Sequence, residues 1–278
     1  MSDNQRAALI SLLGDEDCGV FETVHAKLIS FGPEVVNWLR PYTISDDALL
    51  RRRALQIITG FERKTADERF MSFCASRGED LPLEEGAWLL AQTQYPQINV
   101  SAYDALLDAY AAVLRTRINF TGNAEEILDT LNRYLFNELH FKPNEANYYD
   151  PDNSYLNRVL DKRTGNPISL CTVYLLLGRR LKLPITGIGL PGHFVCRYQT
   201  STAEIYVDAF NRGKLLTKAD CIKYLLHTHH GLEEGYLAPV TPRRILLRMC
   251  ANLHQIYLHN ELAEETSRFQ RYLVALAK

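Results

Sequence analysis

No two cysteines in this sequence are spaced as C-x-x-C. The six present, Cys18, Cys74, Cys171, Cys196, Cys221 and Cys250, are scattered over 278 residues. A chain of that length builds a core of its own, so they are expected to be reduced thiols in a cytoplasmic protein rather than a disulfide framework. Neither charge is in excess. The formal net charge of -2 leaves no global basic field and argues against nucleic acid as a partner. The one dense basic run, Arg51-Arg52-Arg53, falls inside a helical pattern and is expected to be a solvated face. No apolar run approaches the length of a membrane span, and the opening MSDNQRAALI lacks the apolar stretch of a secretion signal, so no membrane is expected. Glycine-rich phosphate loops are missing too. His227-Thr228-His229-His230 brings three imidazoles together without a carboxylate or thiol at ligand spacing and reads as a solvated turn. Asp150, Asp152 and Asn153 lack the glycine and distal glutamate of a calcium loop. Neither a metal nor a cofactor is expected.

What remains is an ordinary globular balance, 46% hydrophobic and 23% charged, with its information in the patterning. Residues 1–140 read as consecutive short helices. Leu9, Leu12 and Leu13 make one apolar stripe; after the turn Gly14-Asp15-Glu16-Asp17, Val20, Val24 and Leu28 make a second. Gly32-Pro33 opens a third with Val35, Val36 and Leu39, a HEAT-like rhythm in a single copy, equally consistent with an irregular bundle. Further helices are expected over Asp47–Thr59, Leu83–Gln92, Ala102–Arg117 and Ala124–Leu139. Residues 141–240 mix helix and strand. Residues 241–278 return to helix as a TPR-like hairpin, with Ile245, Leu246, Met249, Leu253, Ile256 and Tyr257 on one stripe and a second helix beginning near Glu264.

The middle segment carries the chemistry. Asn166 is a good N-cap and Pro167 a good first helical residue, so a helix is expected from Pro167 to Leu181, apolar on nearly all sides and carrying Cys171. Strands are expected at Ile185–Leu190, His193–Tyr198 and Glu204–Asp208. A hairpin turn centred between Thr200 and Ser201 pairs 195 with 206, 197 with 204, and His193 with Asp208. Directly opposed, these two would have Cβ atoms roughly 5 Å apart, and the carboxylate would fix the imidazole tautomer. Cys196, three residues beyond His193, belongs on the opposite, core-facing side. A thiol near a helix N-terminus and a His-Asp pair form a nucleophile with its base and orienter. The bland alternative is a packed cysteine beside two unrelated polar residues.

The motifs YYDPDNSYLNRVLDKRTGNPISL, RRLKLPITGIGLPGHFVCRY and IYVDAFNRGKLL resemble the SirB-type branch of the transglutaminase-like superfamily. LEEGAWLLAQTQYP upstream and RILLRMCANLHQIY downstream resemble the same branch. The resemblance implies an α+β, papain-like core: a buried helix packed on antiparallel strands, flanked by an N-terminal helical domain and the C-terminal hairpin. It implies a catalytic Cys-His-Asp set onto which His193 and Asp208 map directly. The cysteine departs from the pattern. Ungapped alignment puts Pro167 at the nucleophile position, with Cys171 one turn deeper on the same face and Ser169 as a weaker candidate. With Cys171 as nucleophile, the expected chemistry is acyl transfer or hydrolysis of an amide or peptide, with the Asn166 side chain or a backbone N–H at the helix start stabilising the oxyanion. Without it, the expected function is a non-catalytic module binding a protein or peptide partner.

Overall fold

The computed structural model describes residues 2–76, 78–228 and 233–277. In chain order the helices are α1 (Asp3–Ser11), α2 (Cys18–Ser30), α3 (Val35–Leu39), α4 (Ala48–Ser76), α5 (Leu83–Gln92), α6 (Val100–Arg117) and α7 (Ala124–Asn132). A short strand β1 (Lys142–Pro143), helix α8 (Leu156–Lys162), strand β2 (Thr164–Gly165) and helix α9 (Pro167–Arg180) come next. Strands β3 (Ile185–Ile188), β4 (Val195–Gln199), β5 (Glu204–Asp208) and β6 (Lys214–Leu216) follow, then α10 (Lys218–His227), α11 (Pro242–His259) and α12 (Ala263–Leu276). The fold is α+β: among the described residues it is mostly helical, with a small antiparallel sheet ordered β3-β4-β5-β6 and a short parallel pair β1-β2.

The chain forms two compact units. The first comprises residues 1–69 and 92–97, the second residues 70–91 and 98–278. In the first, Ser2 and Gln5 close a capping box on α1, and the Asp17 carboxylate accepts from the Gly19 and Val20 amides to start α2. Leu13, Val24, Leu28, Val35 and Leu39 from the expected stripes are buried together with Ile57 and Ile58. Arg53 departs from the expected solvated face. It is 7% exposed, donates from Nη1 to the Leu13 carbonyl at 2.8 Å and to the Asp15 carbonyl, and lies 4.3 Å above the Phe21 ring. Those carbonyls close the turn after α1, and a planar guanidinium is the side chain that reaches two at once. Helix α4 runs past the expected end at Thr59 and through Gly60, whose cost of about 1 kcal/mol is smaller than the gain from burying even one large side chain beyond it, such as Phe70.

In the second unit α9 is the central element. Asn166 Oδ1 accepts from the Ser169 amide and Ser169 Oγ accepts from the Asn166 amide, both at 3.0 Å, with Pro167 at the first helical position. That is the expected start, and the helix ends at Arg180, one residue short of expectation. It packs against α6, α8, α11, β3 and β4, so nearly every side is buried. Helices α11 and α12 pair as a hairpin. Buried Arg243 joins them, donating to the Ala275 and Leu276 carbonyls at the end of α12 and to the Cys74 carbonyl in α4.

The β4–β5 register differs from the expected one. Arg197 faces Tyr206, Tyr198 faces Ile205 and Gln199 faces Glu204. Thr200 sets this. Its hydroxyl accepts from the Ala203 and Thr202 amides, and its own amide donates to the Ala203 carbonyl at 2.9 Å, closing a turn one residue further along. The shift moves each pairing by two positions. An even shift keeps every side chain on its face of the sheet. Strand β6 and helix α10 were not expected, although Thr217 and Asp220 carry the capping box that opens α10.

Candidate functional site

Leu190-Pro191-Gly192-His193 forms a turn with the His193 amide on the Leu190 carbonyl at 3.1 Å and Gly192 at φ 71°. His193 therefore precedes the sheet, because β4 begins at Val195. Arg248, from α11, donates through Nη2 to the Leu190 carbonyl at 2.6 Å and the His193 carbonyl at 2.7 Å, clamping both ends of that turn. Asp208 ends β5. Its amide neighbours come from the next turn: Asn211 donates from Nδ2 to Oδ2 at 2.7 Å and from its backbone to Oδ1 at 3.1 Å.

His193 and Asp208 meet. Nε2 lies 2.9 Å from Oδ2, with the histidine side chain 14% and the aspartate side chain 6% exposed. The contact is diagonal, since extending the observed register would set Asp208 against Val195. Burial raises the Asp208 pKa, but the His193 ring and the two Asn211 donors outweigh it and hold the carboxyl below the usual carboxylate range. Nε2–H donating to the carboxylate leaves Nδ1 as the ring's second nitrogen, and among the described residues it has no hydrogen-bond partner. Phe210 and Tyr224 flank the ring, with centroids 6.2 and 5.9 Å away. The pair opens on a cleft of about 380 Å³ that Lys214, Asp220, Lys223 and His227 also line. Asp208→Asn is expected to cost about 1 kcal/mol at neutral pH, because the amide is a weaker acceptor for the ring N–H. The folded carboxyl pKa is depressed, so this contribution is present above the unfolded value near 3.9 and is lost as pH falls through the folded value. Chemical melts of both proteins from about pH 3 to about pH 7 should converge at the acid end.

Cys171 is fully buried, and its thiol donates to the carbonyl of Phe194, the residue next to His193, at 3.4 Å. Cys196 also faces the core, as expected, donating to the Cys171 carbonyl at 3.7 Å; burial, with Cys171 alongside, pushes its pKa well above the ordinary thiol value. Cys171 does not line the His193 cleft. Ser169 is equally committed: 1% exposed, its hydroxyl donates to the Asn153 carbonyl at 2.6 Å. The Asn166 side chain donates from Nδ2 to Ser154 Oγ at 2.9 Å. His227 ends α10 with Nδ1 2.7 Å from the Lys223 carbonyl, whereas His229 and His230 lie outside the described residues. Asp150 and Asp152 are engaged in ion pairs, Asp152 with Arg158 at 3.0 Å and both with Lys162. Among the described residues no group of three or more His, Cys, Asp or Glu side chains is arranged to hold a metal. Sequence reasoning missed Asn211 and Arg248. Asn211 stood in the quoted IYVDAFNRGKLL, three residues past Asp208; Arg248 gave no signal, since 55 residues separate it from His193.

Comparison with known proteins places this geometry in context. The family model for the transglutaminase-like superfamily matches residues 101–251. A UPF0162 protein of Xylella fastidiosa is 35% identical over 197 residues, 68% of this chain and 70% of its own. A UPF0162 protein of Pseudomonas aeruginosa is 28% identical over 190 residues, 66% and 67% of the two chains. Human F-box only protein 21 is 36% identical over 136 residues, 46% of this chain and 21% of its own. No solved structure matches.

Proposed function

This chain belongs to the transglutaminase-like superfamily, and from that premise we propose that it is a non-catalytic protein-interaction module of the SirB-type branch. One observation carries the proposal. The first turn of α9, where the resemblance calls for a nucleophile, begins with Pro167, and both nearby candidates are spent on the fold: Cys171 on the Phe194 carbonyl and Ser169 on its capping box. The similarity to an F-box only protein over 46% of the chain supports a binding role. In this proposal residues 141–240 are the core, and the HEAT-like residues 1–140 and TPR-like residues 241–278 are its helical flanks. The protein acts in the cytoplasm, where its free thiols stay reduced.

A second reading draws on the His193–Asp208 bond. With Asp208 orienting the ring, Nδ1 can accept the Cys171 proton while the sulfur attacks an amide or peptide carbonyl. The proton then passes to the departing amine, and an amine or water resolves the acyl-thioester, giving transfer or hydrolysis. The two readings part in thiol labelling. Brief iodoacetamide treatment at neutral pH, read by mass spectrometry, should modify exposed Cys18 and spare Cys171 at least about 100-fold, with no change in His193→Ala. Cys171 labelling faster than Cys18, and slowed by His193→Ala, would sink the non-catalytic proposal.

A further inference from the structure

A second cavity, of about 500 Å³, lies at the start of α9, and it shares no lining residue with the His193 cleft. We propose that it docks a proline-rich segment of a partner polypeptide in the polyproline II conformation. This goes beyond the function proposed above; of the residues considered there, only Asn166 lines this cavity. The volume is in the range of roughly 300–1,000 Å³ at which ligand pockets form. Tyr148 and Tyr149 line it while 44% and 47% exposed, two adjacent aromatic surfaces open to a ligand. Their centroids are 5.6 Å apart and their planes 84° to each other, which makes a notch rather than a flat platform. His259 stacks on Tyr149 at 3.8 Å. Asn260 donates to the Tyr149 carbonyl and Asn153 to the Tyr148 carbonyl, both at 3.2 Å, so the backbone of the pair is held before anything binds.

Helix α11 supplies donors. Asn252 and Gln255 stand three residues apart on α11, and among the described residues their side chains make no hydrogen bond within the protein. Beside the His259 imidazole no carboxylate, ammonium or guanidinium lines the cavity, so an uncharged ligand suits it. A polyproline II strand meets each of these conditions. Its carbonyls have no internal partners and need external donors, its prolines offer no N–H, and pyrrolidine rings seat between aromatic rings.

The test is calorimetric titration of the full chain with an acetylated, amidated decaproline peptide. The expected result is saturable binding that weakens roughly tenfold in Tyr149→Ala and about threefold in Gln255→Ala, with circular dichroism unchanged. Tyr149→Phe keeps the ring and should retain most of the affinity. Failure of decaproline to bind, binding that both alanine variants leave untouched, or saturable binding of maltotriose in its place would each overturn the proposal. None of these outcomes touches the Cys171 labelling result, so the two proposals fail separately.

Discussion

Raising the pH from about 9 to about 10.5 is expected to remove roughly 3 kcal/mol of stability from the second unit. Burial pushes the Cys74 and Cys221 thiols up to about 12, against an ordinary value of 9.0. Well below pH 9 both are neutral in the folded and unfolded chain, and the hydrophobic environment that holds them contributes fully. Above it the unfolded chain releases protons that the folded chain keeps, so stability falls with a slope of about 1.4 kcal/mol per pH unit for each thiol, and continues falling until the folded value near 12 is reached. Burial shifts Cys196, Cys250 and Tyr174 in the same direction and steepens the limb. Urea unfolding followed by circular dichroism at about pH 7.5, 9 and 10.5 measures it. Cys74→Ala and Cys221→Ala should each flatten the alkaline slope by one proton. Stability unchanged up to pH 10.5 would show that these thiols are not held neutral.

Cys171→Ser is expected to cost on the order of 1 to 3 kcal/mol, a drop in melting temperature of roughly 3 to 8 °C. The thiol is fully enclosed, touching the Phe194 carbonyl and the Cys196 side. Oxygen is smaller than sulfur and sits closer to Cβ, so the substitution leaves a void and draws a more strongly hydrated group back from the Phe194 carbonyl. His193→Ala should cost less, because Asn211 continues to satisfy Asp208. Thermal melts of the three proteins compare the two positions without a substrate. A Cys171→Ser protein that melts like the wild type would mean that the thiol faces a polar cleft, and would favour the acyl-transfer reading.

The parts of this protein that its sequence determined by itself are those whose causes are local. Asn166, Pro167 and Ser169 lie within one turn of each other, so the cap and start of α9 could be read directly, and so could the buried character of a helix with Leu170, Val173, Leu176 and Leu177 on several sides. Leu83–Gln92 was legible to the residue for the same reason. The faces of β4 and β5 were legible as well, since alternation is a property of the strand. Register was not. It depended on which amides the Thr200 hydroxyl accepts, a choice of one turn over another nearly equal one, and His193 and Asp208 met only because the shift was even. Helix α4 outran its glycine, and Arg53 went inward, because burial outweighs local propensity. The clamp of Arg248 on the His193 turn and the enclosure of Cys171 against β4 join residues far apart in the chain. No pattern along the sequence marks such contacts. Tertiary packing alone decided that the imidazole meets its carboxylate at a cleft while the thiol is shut in the core.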